Sequence, residues 1–209
     1  MAENDDSYIA RTFRFLDSLT APALPVSLNR CCRAAGVELI PFSRLIGEGF
    51  SREELRTWLG NDDGACYGLG DHRVIVFNDG QPDVRSRFTV AEELMHHVLG
   101  HPRAAGFSAL RQSYSEEEYA RIEQEAKGAA CLLLCPPGYY LRRRPDLTET
   151  MRRCLVSEAC AVQIRRFYAE HDIEIRRCFR TSPQNRIVYS APNKDSPCAS
   201  RGAGSRMAD

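Results

Sequence analysis

The sequence lacks an excess of either charge, because 28 Lys and Arg residues are balanced by 28 Asp and Glu residues. This balance leaves no overall field that would attract nucleic acid or an acidic lipid surface. The 209 residues suffice for one domain, or for one domain with a small appendage.

The segment 141–180 is locally basic, with ten Arg against six acidic residues. A solvated helix face or a nucleic-acid surface would each explain it. Because no DNA-binding motif or pattern of stacking aromatics accompanies the charge, we favour the solvated face and expect no direct nucleic-acid binding.

Long apolar runs are also missing. The longest, Ala129–Cys135, is far shorter than the roughly 20 residues that a membrane-spanning helix needs. The opening MAENDDSYIART is acidic and polar, whereas a secretory signal combines a basic and an apolar stretch. We therefore expect a cytoplasmic protein with no membrane partner.

The nine cysteines include no CxxC pair and are irregularly spaced, which argues against a disulfide framework and a structural zinc cluster. Cys131 and Cys135 are four residues apart and would share one helical face. They could clip a metal, but we favour buried small hydrophobic residues in a reducing compartment.

Hydrophobic periodicity and turn residues predict alternating helices and short strands. A short N-terminal helix ends before Pro22–Pro25. Further helices are predicted over 26–35, 51–59, 84–99, 116–134, 147–155 and 157–171, and strands over 37–42, 65–69 and 73–77. Ser51, followed three residues on by Glu54, is a capping-box pattern for the helix over 51–59. The segments Glu174–Phe179 and Arg186–Tyr189 predict a hairpin. The Ser, Pro, Gly and Ala content from 191 to 209 predicts a disordered tail.

The helix predicted around RFTVAEELMHHVLGH (Arg87–His101) carries candidate metal-binding and catalytic residues. Glu92 and His96 are one turn apart, within about 40° of each other on the helix surface. They border an apolar side, which we expect to face the core and which consists of Ala91, Leu94, Met95, Val98 and Leu99.

This spacing matches the HExxH motif, in which ligands at i and i+4 hold a metal and the intervening Glu acts as general base. Here the string is EExxH, so Glu92 takes the first ligand position, Glu93 the base position and His96 the second ligand position. A surface helix with two acids and two histidines would give the same string, and this window alone does not separate the two.

The helix over 116–134 supplies a third acidic residue. Its predicted buried stripe consists of Ile122, Ala126, Ala129 and Leu133. Glu125 falls within the stripe, whereas Glu123, Gln124 and Lys127 are predicted to point away. A carboxylate on an apolar stripe is costly unless it is paired or binds a cation. Glu125 would therefore be a third metal ligand, or a buried acid paired with an Arg.

Two strings together resemble the ImmA/IrrE family of metallo-endopeptidases. The family typically has RFTLAHELGHxxLGH followed by EAxxFAAxLLMP. Here Arg87–His101 is RFTVAEELMHHVLGH, and Glu125–Pro136 is EAKGAACLLLCP. The resemblance covers roughly Pro25–Pro137 and extends to the strand and turn that precede the first string.

The resemblance implies roles residue by residue. Glu93 would be the catalytic base, and His96 and Glu125 would be metal ligands. Glu92 would take the place of the first histidine ligand. His97 and His101 match residues common in the family, and we favour a supporting role over metal ligation for His101. Met95 replaces the usual Gly, and Ala129 the usual aromatic residue.

The resemblance also implies a zincin-like α+β fold, with a small three-stranded sheet packed on the active-site helix and a second ligand-bearing helix. We expect an N-terminal segment (1–21), a metallopeptidase domain (22–140), a C-terminal helical extension with the hairpin (141–190) and the tail. By the same resemblance, the substrate would be a protein such as a helix-turn-helix repressor that controls a mobile element or stress response.

Glu92 changes the expected metal chemistry. Two histidines, one carboxylate and a divalent cation sum to +1, whereas Glu92, His96 and Glu125 with the same cation sum to zero. A less positive centre acidifies water less. An added oxygen ligand also shifts preference from zinc towards manganese or iron. Two hypotheses follow: a working endopeptidase with unusual ligands, or a pseudoprotease that binds a regulator without metal.

Overall fold

The computed structural model describes residues 7–19, 23–69, 72–101, 115–187 and 189. Within this part of the chain lie ten α-helices, a three-stranded sheet and one 3-10 helix. The protein is therefore α+β and mostly helical, as the sequence predicted.

The helices are α1 (Tyr8–Ser18), α2 (Leu28–Ala34), α3 (Phe42–Gly47), α4 (Arg52–Leu59), α5 (Asp83–Val98), α6 (Glu116–Leu134), α7 (Pro137–Arg143), α8 (Leu147–Cys154), α9 (Glu158–Glu170) and α10 (Asp172–Thr181), followed by the 3-10 helix Pro183–Arg186. The strands are β1 (Val37–Pro41), β2 (Gly64–Leu69) and β3 (His72–Phe77). Predicted ends within 26–171 differ from these by at most two residues. The short helices α3 and α7 were not predicted, because six or seven residues give little periodicity.

Serine caps begin the helices that flank the sheet and the site. Ser51 accepts a hydrogen bond from the Glu54 amide, and the Glu54 carboxylate accepts one from the Ser51 amide, which confirms the predicted capping box of α4. Ser115 and Glu118 repeat this arrangement at the start of α6. Each box satisfies two amides that the first helical turn leaves without intrahelical partners.

The sheet has the strand order β1-β3-β2, with β3 parallel to β1 and antiparallel to β2. The central strand β3 is the β-branched run that predicted it most clearly. In its register, Val37 pairs with Arg73 and Cys66 pairs with Ile75. This order leaves β2 as an outer strand, and α5 packs beside it.

Side chains alternate across the sheet and build cores on both of its faces. Cys66 and Ile75 belong to a large core together with α5 and α6. Tyr67 and Val74 point the other way, into a smaller core beneath α3 and α4. The period of two along each strand therefore fixes which residues face the site helices.

Helix α6 lies at the centre of the large core. All four predicted stripe residues, Ile122, Ala126, Ala129 and Leu133, are buried, and from Gly128 to Leu134 every residue is buried. Helices α1, α5 and α9 pack around it. The same core includes side chains of α8, α9 and α10, so the C-terminal helices share the core of the residues before 140.

Arg87 ties α5 to two distant segments. Its guanidinium donates to the carbonyl of Val26 at 3.0 Å and to that of Leu155 at 3.2 Å. These bonds hold the start of the site helix against the segment before α2 and the turn after α8. Arg87, the basic residue of the RFT string, therefore has a structural role.

The predicted hairpin from Glu174 to Tyr189 is wrong. Residues 172–181 form α10, and 183–186 form a 3-10 helix. Ile175, Cys178 and Phe179 pack into the core at helical spacing. An Asp172–Arg176 ion pair of 2.7 Å, one turn apart, adds local support. The tail predicted over 191–209 lies outside the described residues.

Gly128 is a point of close contact between α6 and its neighbours. A Cβ built at this position would lie 2.5 Å from a ring carbon of Phe167 and 3.1 Å from one of Tyr8. We expect Gly128→Ala to destabilise the protein by about 1–2 kcal/mol, because overpacking outweighs the gain in helix propensity. Urea denaturation measures this change.

Gly47→Ala is the matched control, since nothing lies within 4 Å of a Cβ at that helical position. It should leave the free energy of unfolding unchanged or slightly raised. Equal effects of the two substitutions would contradict close packing around Gly128.

Candidate metal centre

The candidate site lies where α5 and α6 pack together beside the outer strand β2. Helix α5 packs against α6, and its residues Ala91, Leu94 and Met95 are fully buried. On α6, Ala126 and Ala130 are small and fully buried. Small side chains allow the two backbones to approach closely and bring polar groups from both helices together.

Three side chains converge at this junction. Glu92 and His96 of α5 and Glu123 of α6 each offer one ligand atom, and these atoms all lie within 4.8 Å of one another. His96 is buried, with 5% of its surface exposed, and its Nε2 lies 3.5 Å from Glu123 Oε1. The predicted pairing of Glu92 with His96 across one helical turn is therefore present.

The donor set fits a divalent cation. Two carboxylate oxygens and one imidazole nitrogen are ordinary ligands of zinc and of harder first-row metals. Tetrahedral ligation with bonds of about 2.1 Å places ligand atoms about 3.4 Å apart. Rotamer shifts on the order of 1 Å in Glu92 and Glu123 would bring the cluster to that spacing.

His101 connects His96 to Glu125. Its Nδ1 lies 3.1 Å from His96 Nδ1, and its Nε2 lies 3.2 Å from Glu125 Oε2. When His101 is neutral and donates from Nε2 to the carboxylate, its Nδ1 must accept from His96 Nδ1. That pattern leaves His96 Nε2 unprotonated and directed at Glu123. A chain that fixes the imidazole tautomer is a common support for metal ligands.

Glu123 was missed as a site residue. The sequence placed it facing away and placed Glu125 in the ligand position, whereas the structure sets Glu123 beside His96 and sets Glu125 beside His101. Glu123, Lys127 and Ala130 follow one line along α6 at helical spacing, but this spacing alone does not show which face of the helix meets α5. The orientation of α6 was ambiguous from its apolar residues, because the helix is buried on nearly every side from Gly128 onwards.

Glu93 faces the sheet. Its Oε2 accepts a hydrogen bond of 2.8 Å from the backbone amide of Cys66, on the outer strand β2. The carboxylate predicted as general base is therefore held at the edge of the sheet. This contact orients Glu93 independently of any ligand.

Lys127 supplies positive charge to the cluster. Its Nζ lies 3.8 Å from Glu92 Oε1 and 3.7 Å from Glu123 Oε2. The second contact joins residues four apart on α6, and the first joins α6 to α5. The side chain of Lys127 is 44% exposed, whereas that of Glu92 is 17% exposed.

His97 lies apart from this arrangement. Its Nε2 is 3.2 Å from the carbonyl oxygen of Ala35, at the end of α2. This contact links the site helix to the segment leading into β1.

The cysteines near the site belong to the core. Cys131 and Cys135 are fully buried, as favoured from the sequence. Burial is the largest cause that raises the pKa of the Cys131 thiol well above its ordinary value, and nearby Cys160 and Glu92 add to it. A thiol that resists ionisation is a poor metal ligand.

A helix carrying EExxH, joined by an acidic residue from a second helix beside a sheet edge, resembles the arrangement of a metallopeptidase site. A model of the Peptidase M78 family, described as the IrrE N-terminal-like domain, matches residues 51–157. The chain belongs to this family, as the two strings predicted, and the family supports a metallopeptidase-like function. The match includes every residue of the cluster.

Among curated proteins, none matches this sequence. In the described part of the chain, no helix is both long and apolar enough to cross a membrane.

The Glu93–Cys66 contact predicts a difference between two substitutions. Glu93→Ala removes the acceptor of a partly buried amide and should lower the free energy of unfolding by about 1.5–3 kcal/mol. Glu93→Gln keeps an oxygen acceptor and removes the same charge, so it should cost about 1 kcal/mol or less. Chemical denaturation of the metal-free proteins compares them, and equal losses would show that the contact does not stabilise the fold.

Proposed function

We propose that this protein is a metal-dependent endopeptidase in which Glu92, His96 and Glu123 hold the cation and Glu93 is the general base. The observation that carries the proposal is the convergence of the three ligand atoms within 4.8 Å. This convergence of two EExxH residues with an acidic residue of α6 supports a shared metal site.

The residues around the ligands would share the chemical work. When bound, a divalent cation would polarise the scissile carbonyl and acidify an attacking water. Glu93 would take the proton from that water and return it to the leaving amine. His101 and Glu125 would hold His96 in the tautomer that leaves Nε2 free, and β2 would present its outer edge to an extended substrate segment.

The ligand set also affects the choice of metal. Two carboxylates and one imidazole suit zinc, and they suit manganese or iron(II) better than a set with two imidazoles would. We propose zinc as the first metal to test and manganese as the second.

A protein substrate follows from the peptidase family, and its class is a proposal by resemblance. Members of the ImmA/IrrE family suggest a helix-turn-helix repressor, whose cleavage would release genes of a mobile element or a stress response. The neutral overall charge of the chain agrees with a protein substrate rather than direct contact with DNA.

One observation favours a second candidate, a pseudoprotease that binds a regulator without metal. The Lys127 ammonium lies within 4 Å of two proposed ligands and could provide their positive charge by itself. The two candidates differ in whether purified protein binds metal and whether Glu93 is needed for its action.

The third ligand can be identified by comparing Glu123→Gln with Glu125→Gln. Calorimetric titration with zinc should show the larger loss of affinity in Glu123→Gln, because that variant loses a direct ligand. Glu125→Gln should weaken binding about 10–100-fold through His101 and His96, as is usual for an outer hydrogen-bond partner. The reverse order would identify Glu125 as the ligand that the sequence predicted.

Activity is tested with purified protein, zinc or manganese, and a panel of helix-turn-helix repressors. Cleavage should occur with metal, cease with chelator and fall at least about 100-fold in Glu93→Gln, since loss of a general base costs 10²–10⁴-fold. Glu92→His should raise turnover, because it makes the centre more positive. Binding of a repressor that survives chelation and Glu93→Gln, without cleavage, would support the pseudoprotease instead.

A further inference from the structure

We propose that Lys127 is a positioning residue that compensates for Glu92 and restores the net charge of a centre with two histidine ligands. This inference rests on the proposed metal site. It concerns a side chain on α6 that the ImmA/IrrE strings did not single out, and it explains how the site accommodates a carboxylate at the first ligand position.

The two oxygens of Glu123 face different partners. Oε1 lies 3.5 Å from His96 Nε2, on the side where the ligand atoms converge. Oε2 lies 3.7 Å from Lys127 Nζ. A monodentate ligand needs only one oxygen, so the ammonium can stay on the outer oxygen while a cation occupies the inner side.

Lys127 also spans the two helices. It reaches Glu92 on α5 as well as Glu123 one turn away on its own helix. An ordinary surface pair between residues four apart would require only the contact within α6. The contact with Glu92 joins the ammonium to the residue that takes the first histidine's place in the motif.

The charges then balance. Glu92, Glu123 and a divalent cation sum to zero, and the Lys127 ammonium raises the local sum to +1. That is the sum for one carboxylate, two neutral histidines and the same cation. A positive centre favours ionisation of an attacking water, and this is the property that Glu92 alone would weaken.

The residue type supports a specific role. Of the 28 basic residues only two are lysines, Lys127 and Lys194, and the other 26 are arginines. Lysine carries a compact point charge that can approach two carboxylates, whereas the planar guanidinium of arginine grips one of them through two parallel bonds. Lys127 therefore suits a position where the carboxylates must stay available to a metal.

The decisive experiment combines metal affinity and turnover in Lys127→Gln. Loss of the ammonium should tighten zinc binding about tenfold, since a repelling charge is removed. Cleavage of a repressor that the panel assay shows to be a substrate should nevertheless slow about tenfold, since the centre returns to zero charge. A lysine that merely blocked the metal would give tighter binding without slower turnover, and that result would overturn the inference.

Three further variants make the comparison specific. Lys127→Arg keeps the charge and should recover most of the turnover lost in Lys127→Gln. Arg121→Gln removes one exposed positive charge from another face of α6 and should change neither zinc affinity nor turnover. In a Glu92→His background, Lys127→Gln should slow cleavage less than it does in wild type, because the carboxylate that Lys127 contacts on α5 is gone.

The possible failures are distinguishable. If no variant binds zinc or manganese, the proposed function fails and the inference fails with it. If wild type and Lys127→Gln bind metal with equal affinity and cleave at equal rates, the metal site stands and only the role of Lys127 is overturned. A metal-free double-mutant cycle of Lys127→Gln and Glu92→Gln adds a stability readout, and zero coupling would also overturn the inference.

Discussion

The packing of α5 against α6 is the contact on which the candidate site depends. Taken separately, α5 carries acids and two histidines, and α6 carries acids and a lysine but no histidine. Small residues on α6 let α5 approach closely, and the contact brings Glu123 and Lys127 to the border that holds Glu92 and His96. Carboxylates and an imidazole are thereby held close together in a partly desolvated place, where their charges need a cation or a proton.

The surroundings of this contact support it from several directions. Arg87 fixes the start of α5 to the chain before α2 and after α8, and His97 fixes its far end to α2. On the sheet side, Cys66 holds Glu93. The site helix is thus restrained at both ends and along its length, which is what a preorganised centre requires.

In the proposed metal site, the carboxylate at the first ligand position affects its neighbours. Glu92 would lower the charge of the centre, and the neighbouring Lys127 would raise it again. His96 keeps its orientation through His101 and Glu125. The acidic residues of EExxH and Glu123 form a negatively charged group. In a working peptidase a bound cation would neutralise this group, and in a metal-free binding module Lys127 would do so.

The sequence by itself determined most of the secondary structure and the two helices that carry the chemistry. The β-branched run of β3, the capping box at Ser51 and the i, i+4 spacing of Glu92 and His96 are local properties, so the printed residues were enough to predict them. The hairpin prediction for 174–189 was wrong because it overlooked the helical spacing of Ile175, Cys178 and Phe179.

Only the tertiary structure decided which acid of α6 meets His96. A helix buried on nearly all sides gives no single apolar stripe from which to judge its orientation, so Glu123 and Glu125 could not be ranked from sequence. The bridging position of His101 and the contact between Lys127 and Glu92 also depend on the angle and depth at which two helices pack. The angle and depth of helix packing are set by side chains throughout the core, and no local sequence pattern predicts them.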